Sequence, residues 1–126
     1  MGARSEVYDF AMLAPLLFLG MQQTSVPIAD RGSVLFHQCQ AAIREDDSPS
    51  GGPNADLPAV YHCLDFIDGF SEGLSAGGQA CFGGASHGTM IRVYVAFMQT
   101  HPTYMDEAKG IGVYLSMLQT YPCTKK

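Results

Sequence analysis

Four cysteines, at positions 39, 63, 81 and 123, constrain this chain more than any other feature. The count is even and the spacings are wide. No Cys-x-x-Cys pair occurs, which argues against a zinc knuckle or a thioredoxin-like motif. Cys63 sits in "YHCLDFIDGFSEGL" beside His62. A cysteine nucleophile needs a histidine facing it, and neighbouring side chains on a helix do not face each other. Two disulfides are therefore the leading reading, with buried free thiols as the alternative. Disulfides in turn imply an oxidising compartment.

The N-terminal part agrees with export. "AMLAPLLFLGM", from Ala11 to Met21, is short and densely apolar, and Ala29 offers a small residue at a cleavage point. The preceding residues carry Arg4 but also Glu6 and Asp9, so the usual positive start is missing. Residues 1–29 are read as a signal peptide or an N-terminal apolar segment, the latter a buried helix, and residues 30–126 as the functional domain. No apolar run reaches the length of a membrane span, so none is expected in the mature form.

Beyond that start, four segments have helical periodicity. The first runs from about Gly32 to Glu45, with Leu35, Cys39, Ala42 and Ile43 recurring on one face. "EDDSPSGGPNADLP" then reads as a flexible loop. The second helix runs from about Pro58, a residue suited to a first turn, to Ala76. Val60, Cys63, Leu64, Ile67, Phe70 and Leu74 fall on its apolar face. Asp65, Asp68 and Glu72 form an acidic stripe opposite. Gly69 lies mid-helix, where glycine costs about 1 kcal/mol relative to alanine. Close approach of a neighbouring helix would explain it.

The third helix, Thr89 to Thr100, has Ser86 as its N-cap and is apolar nearly all round, so it belongs mid-bundle. Arg92 and Gln99 form its narrow polar edge. His101-Pro102 ends it. The fourth runs from about Tyr104 to Thr120, with a buried stripe of Ala108, Ile111, Gly112, Leu115 and Leu118. The expected fold is all-α, a small bundle of four or five helices held by two disulfides.

A short connection makes helices three and four antiparallel neighbours. Cys81 precedes one and Cys123 follows the other, so their ends meet on one side of the molecule. Cys81–Cys123 is the natural bond, which leaves Cys39–Cys63 to join helices one and two. Four cysteines allow three pairings, and spacing alone does not decide among them.

The chain carries only 7 Lys and Arg against 12 Asp and Glu, too few and too scattered to neutralise a run of phosphates. This argues against a nucleic-acid partner. His37, His62, His87 and His101 have no metal-ligand spacing. Met90, Met98, Met105 and Met117 read as core filler. No nucleophile–base pair or carboxylate pair stands out. The reading is a non-enzyme with no catalytic residue, no metal and no cofactor.

The ordered set of pieces resembles a known family. It comprises Gly32, Leu35 and Cys39 in "GSVLFHQC"; Cys63, Phe66, Ile67 and Gly69 in "CLDFIDG"; Cys81 in a glycine-rich loop; His101-Pro102; and Tyr121-Pro122-Cys123. Together these resemble the Rap/Tai family of periplasmic immunity proteins, over about residues 31 to 123. The resemblance implies an exported helical domain in the periplasm. It also implies binding and inhibition of a peptidoglycan amidase effector delivered by a type VI secretion system. The shared residues are scaffold and carry over no contacts. From charge and loop position, the expected effector contacts are Glu45, Asp46, Asp47, Asp65, Asp68 and Glu72. A homodimer is left open. The alternative is a small disulfide-bonded periplasmic chaperone of the acid-stress kind.

Overall fold

Each helix begins or ends where its sequence supplies a reason. A computed structural model describes residues 25–124 and places four α-helices in them: α1 (Gly32–Asp47), α2 (Leu57–Ala76), α3 (His87–Thr100) and α4 (Lys109–Thr120). Short 3-10 turns, Ile28–Asp30 and Pro102–Asp106, precede α1 and α4. The apolar stretch Ala11–Met21 lies outside the described residues. Among them, no helix is long and apolar enough to cross a membrane.

At the start of α2, Asp56 Oδ1 accepts from the Ala59 amide at 3.3 Å, and Pro58 follows in the first turn. At α3, Ser86 Oγ accepts from the Thr89 amide at 3.2 Å, the cap expected from the sequence. Each supplies a partner for an amide that the helix leaves unpaired. α3 opens at His87, two residues before the expected start.

All four helices touch one another. The packed centre contains Leu35 and Cys39 from α1, Cys63 and Ile67 from α2, Tyr94 and Met98 from α3, and Val113 and Met117 from α4. Two buried hydroxyls need no outside partner, because each bonds a carbonyl of its own helix: Ser71 to Ile67 and Ser116 to Val113. Met90, Met98 and Met117 are buried and Met105 is half-buried, in keeping with filler.

The expected disulfides are both present: Cys39–Cys63 joins α1 to α2, and Cys81–Cys123 ties the segment before α3 to the segment after α4. Around the second, the Cys81 amide donates to the Tyr121 carbonyl at 2.9 Å, and the Phe82 and Tyr121 rings meet at 5.1 Å. Cys39 and Cys63 are fully buried; Cys81 is exposed and Cys123 half-buried.

Three expectations need correction. α1 continues past Glu45 to Asp47. Acidic residues at a helix C-terminus face the negative end of its dipole, and here a cation from α3 offsets them, as described below. Next, the last helix does not start at Tyr104. After Pro102 the chain makes a 3-10 turn, extends at Glu107 and resumes as α4 at Lys109. The extended step exists because it pairs with the entry to α1. Arg31 and Ala108 form an isolated antiparallel bridge, and the Gly32 amide donates to the Glu107 carbonyl at 2.8 Å. The restart also turns the buried stripe by about one residue. Gly112, Val113, Ser116 and Met117 face inward, Leu115 and Leu118 are half-buried, and Ile111 is exposed.

The third correction concerns glycine. A Cβ at Gly69 would meet nothing within 4 Å, so no helix approaches there. The close approaches are at Gly32, where a Cβ would stand 2.5 Å from the Tyr104 carbonyl oxygen, at Gly112, 2.5 Å from Met98 Sδ, and at Gly110, 2.9 Å from Phe70 Cε2.

Candidate binding face

Four of the six acidic residues singled out in the sequence, Glu45, Asp46, Asp47 and Asp68, are engaged in structure. Glu45 folds back over the loop that follows α1. Its Oε1 accepts from the Ser50 amide at 3.1 Å and its Oε2 from the Ser50 hydroxyl at 3.0 Å. These bonds hold the chain near Pro49 beside the end of α1. Asp46 and Asp47 clamp Arg92 of α3. Its Nη2 donates to Asp46 Oδ2 at 2.9 Å and to Asp47 Oδ1 at 2.6 Å. Hydrogen bonding to Asp47, and next to Asp46, raises the Arg92 pKa further. All three side chains are open to solvent, so the clamp positions more than it stabilises.

On α2 the stripe is divided. Asp68 Oδ1 lies 2.8 Å from His87 Nε2 at the start of α3. Asp65 instead lines a shallow depression with His62, Phe66, Asp30 and Lys109, between α2, α1 and the start of α4. Lys109 Nζ lies 3.6 Å from Asp30 Oδ1 and 5.0 Å from the Phe66 ring centroid. Glu72 is exposed, one α2 turn beyond Asp68. Glu45, Asp46 and Asp47 thus stand at the end of α1, while Asp65, Asp68 and Glu72 of the α2 stripe have separate surroundings.

Between α1, α2 and α3 lies an open groove of about 360 Å³. Its walls are Ala42 and Ile43 from α1, Val60 and Leu64 from α2, and Ile91 from α3. Pro49, Glu45, Asp46, Arg92 and Gly88 complete its lining. Gly88 follows His87, the residue that meets Asp68. Sequence reasoning missed the groove. It placed Ile43, Val60 and Leu64 on apolar faces, yet all three are only half-buried. It also treated Arg92 as plain polar edge. No local signal pairs Arg92 with carboxylates 45 and 46 residues away.

Among the described residues no group of three or more His, Cys, Asp or Glu is placed to hold a metal ion. His37 contacts Gln40, His101 stacks on Phe97 with centroids 4.0 Å apart, and His87 pairs with Asp68. These contacts are structural, and what the face offers is recognition: apolar walls edged by charge.

A family model described as Rap1a immunity proteins matches residues 31–123. The chain belongs to the Rap1a immunity protein family. The Rap1a match begins at the residue bridged to Ala108 and ends at the cysteine that closes the second disulfide. It bears out the resemblance drawn from the ordered motifs. Gly32, Leu35, Cys39, Cys63 and Ile67 are all buried, so that part of the motif is scaffold. Gly69, Cys81, Pro102 and Pro122 of the same set are exposed. As an immunity protein, a Rap1a member takes an effector protein as its partner. Comparison with curated proteins and with solved structures gives no match.

Proposed function

We propose that this Rap1a chain is a periplasmic immunity protein that binds and inhibits a peptidoglycan amidase delivered by a type VI secretion system. The observation that carries the reading is the family match across the whole disulfide-held domain. Both disulfides suit an oxidising compartment. Residues 1–29 act as the export segment and residues 30–126 as the mature domain. Inhibition is steric: a small rigid bundle covers the amidase cleft and performs no chemistry.

Contact with the amidase runs through Glu45, Asp46, Asp47, Asp65, Asp68 and Glu72. Asp46, Asp47, Asp65 and Glu72 are exposed, and Glu45 and Asp68 are half-buried. A partner surface rich in Lys and Arg complements them, and steering by charge speeds encounter more than it deepens affinity.

The test is protection. Cells that export the amidase should lyse without this protein and survive with it. Reversing all six carboxylates to lysine should weaken amidase binding by more than tenfold. Survival that does not depend on the protein removes the reading; unchanged binding by the six-lysine variant moves the contact surface elsewhere.

A further inference from the structure

We propose that the groove between α1, α2 and α3 is the socket for one apolar side chain of a protein partner, carried on a segment with lysine or arginine beside it. The identification of that partner as an effector rests on the immunity reading; the chemistry of the socket does not. The walls supply the first half of the argument. Ala42 and Ile91 are buried, while Ile43, Val60 and Leu64 leave apolar surface open to water. The volume of about 360 Å³ is at the lower end of what ligand sites occupy, enough for a large side chain and its neighbours.

The rim supplies the second half. Two carboxylates of the lining, Glu45 and Asp46, stand beside one guanidinium, Arg92, which Asp47 just outside the lining also holds. Glu45 is met by the Ser50 amide and hydroxyl, which are dipoles and leave its charge in place. The rim therefore keeps an excess of negative charge and favours a cationic flank. It would repel an acidic peptide of the same shape. Pro49, beside the loop that Glu45 holds, forms a fixed lip.

The probe is a blocked tripeptide, Lys-Phe-Lys, titrated into the full chain with methyl-labelled Ile, Leu and Val and followed by NMR. The methyl signals of Ile43, Val60, Leu64 and Ile91 should move together at millimolar peptide. Glu-Phe-Glu should move them at least fivefold less, and Lys-Gly-Lys should not move them. Leu64→Lys should abolish the response. Should that variant fail to fold, Asp46→Asn with Asp47→Asn at exposed positions serves instead. It leaves Glu45 against Arg92 on a balanced rim and should abolish the preference between Lys-Phe-Lys and Glu-Phe-Glu. Silence of the four methyls, equal response of the wild-type chain to both charged peptides, or an undiminished preference for Lys-Phe-Lys in the double Asn variant overturns the socket. Protection of amidase-exporting cells by Leu64→Lys as strong as wild type also overturns it and leaves the immunity reading standing. Peptide binding at the groove by a chain that protects no cell leaves the socket standing and removes that reading.

Discussion

Gly112 on α4 lies directly against Met98 on α3: a Cβ at Gly112 would stand 2.5 Å from the methionine sulfur and 3.1 Å from Tyr94 Cε2. Met98 and Tyr94 are both fully buried and cannot swing away into solvent. Gly112→Ala gains about 1 kcal/mol in helix propensity but overpacks the seam at about 1–3 kcal/mol. The net expectation is a loss of about 1 kcal/mol. At Gly69, where a Cβ meets nothing, the same substitution should stabilise by up to about 1 kcal/mol. Urea unfolding of the two variants should give shifts of opposite sign.

The two disulfides should differ in how readily they are reduced. Cys39 and Cys63 are fully buried, whereas Cys81 is exposed and Cys123 half-buried. A reductant reaches Cys81–Cys123 in the native state but reaches Cys39–Cys63 only after opening. Timed alkylation with mass spectrometry should show Cys81 and Cys123 labelled first. Either bond, closing spans of 24 and 42 residues, should contribute about 3–4 kcal/mol in the chain-entropy model.

Tyr94 predicts a loss of stability in alkali. Its hydroxyl donates to the Gly32 carbonyl at 3.3 Å, and burial pushes its pKa up. Above about pH 10 the unfolded chain releases this proton while the native state keeps it. The unfolded state then binds fewer protons, so stability falls as pH rises, by about 1.4 kcal/mol per unit. Tyr94→Phe should remove that fall, while costing about 1 kcal/mol at neutral pH through the lost hydrogen bond. Denaturation midpoints from pH 8 to 11.5, wild type against variant, check the sign.

Breaking the clamp at Arg92 should act locally. The side chain and both of its carboxylate partners are exposed, so Arg92→Ala should leave global stability nearly unchanged. It leaves Asp46 and Asp47 unpaired at the negative end of α1. Faster amide exchange at Asp47 and Ser48, with α2 unaffected, is the expected signature.

The contrast between Gly69 and Gly112 shows what the sequence could carry. Both are helix-interior glycines, and nothing in the neighbouring residues says which one meets another helix. That depends on how α4 is rotated, and the rotation is fixed by the Arg31–Ala108 bridge. The bridge joins residues far apart in the chain and has no local pattern. The cysteine pairing was legible because it follows from topology: a short α3–α4 connection brings Cys81 and Cys123 to one side. The Ser86 cap was legible because capping is local. The acidic residues were found but their company was not. Arg92, Ser50 and His87 reach them only in the folded chain, and the groove exists only as a gap among three helices.

The bridge at the entry to α1 bears on the order in which the molecule can be finished. A chain emerging N-terminus first can close Cys39–Cys63 when barely half of it is out. Gly32, however, must wait for Glu107, and Cys81 for Cys123. The beginning of the domain therefore stays open until its tail arrives.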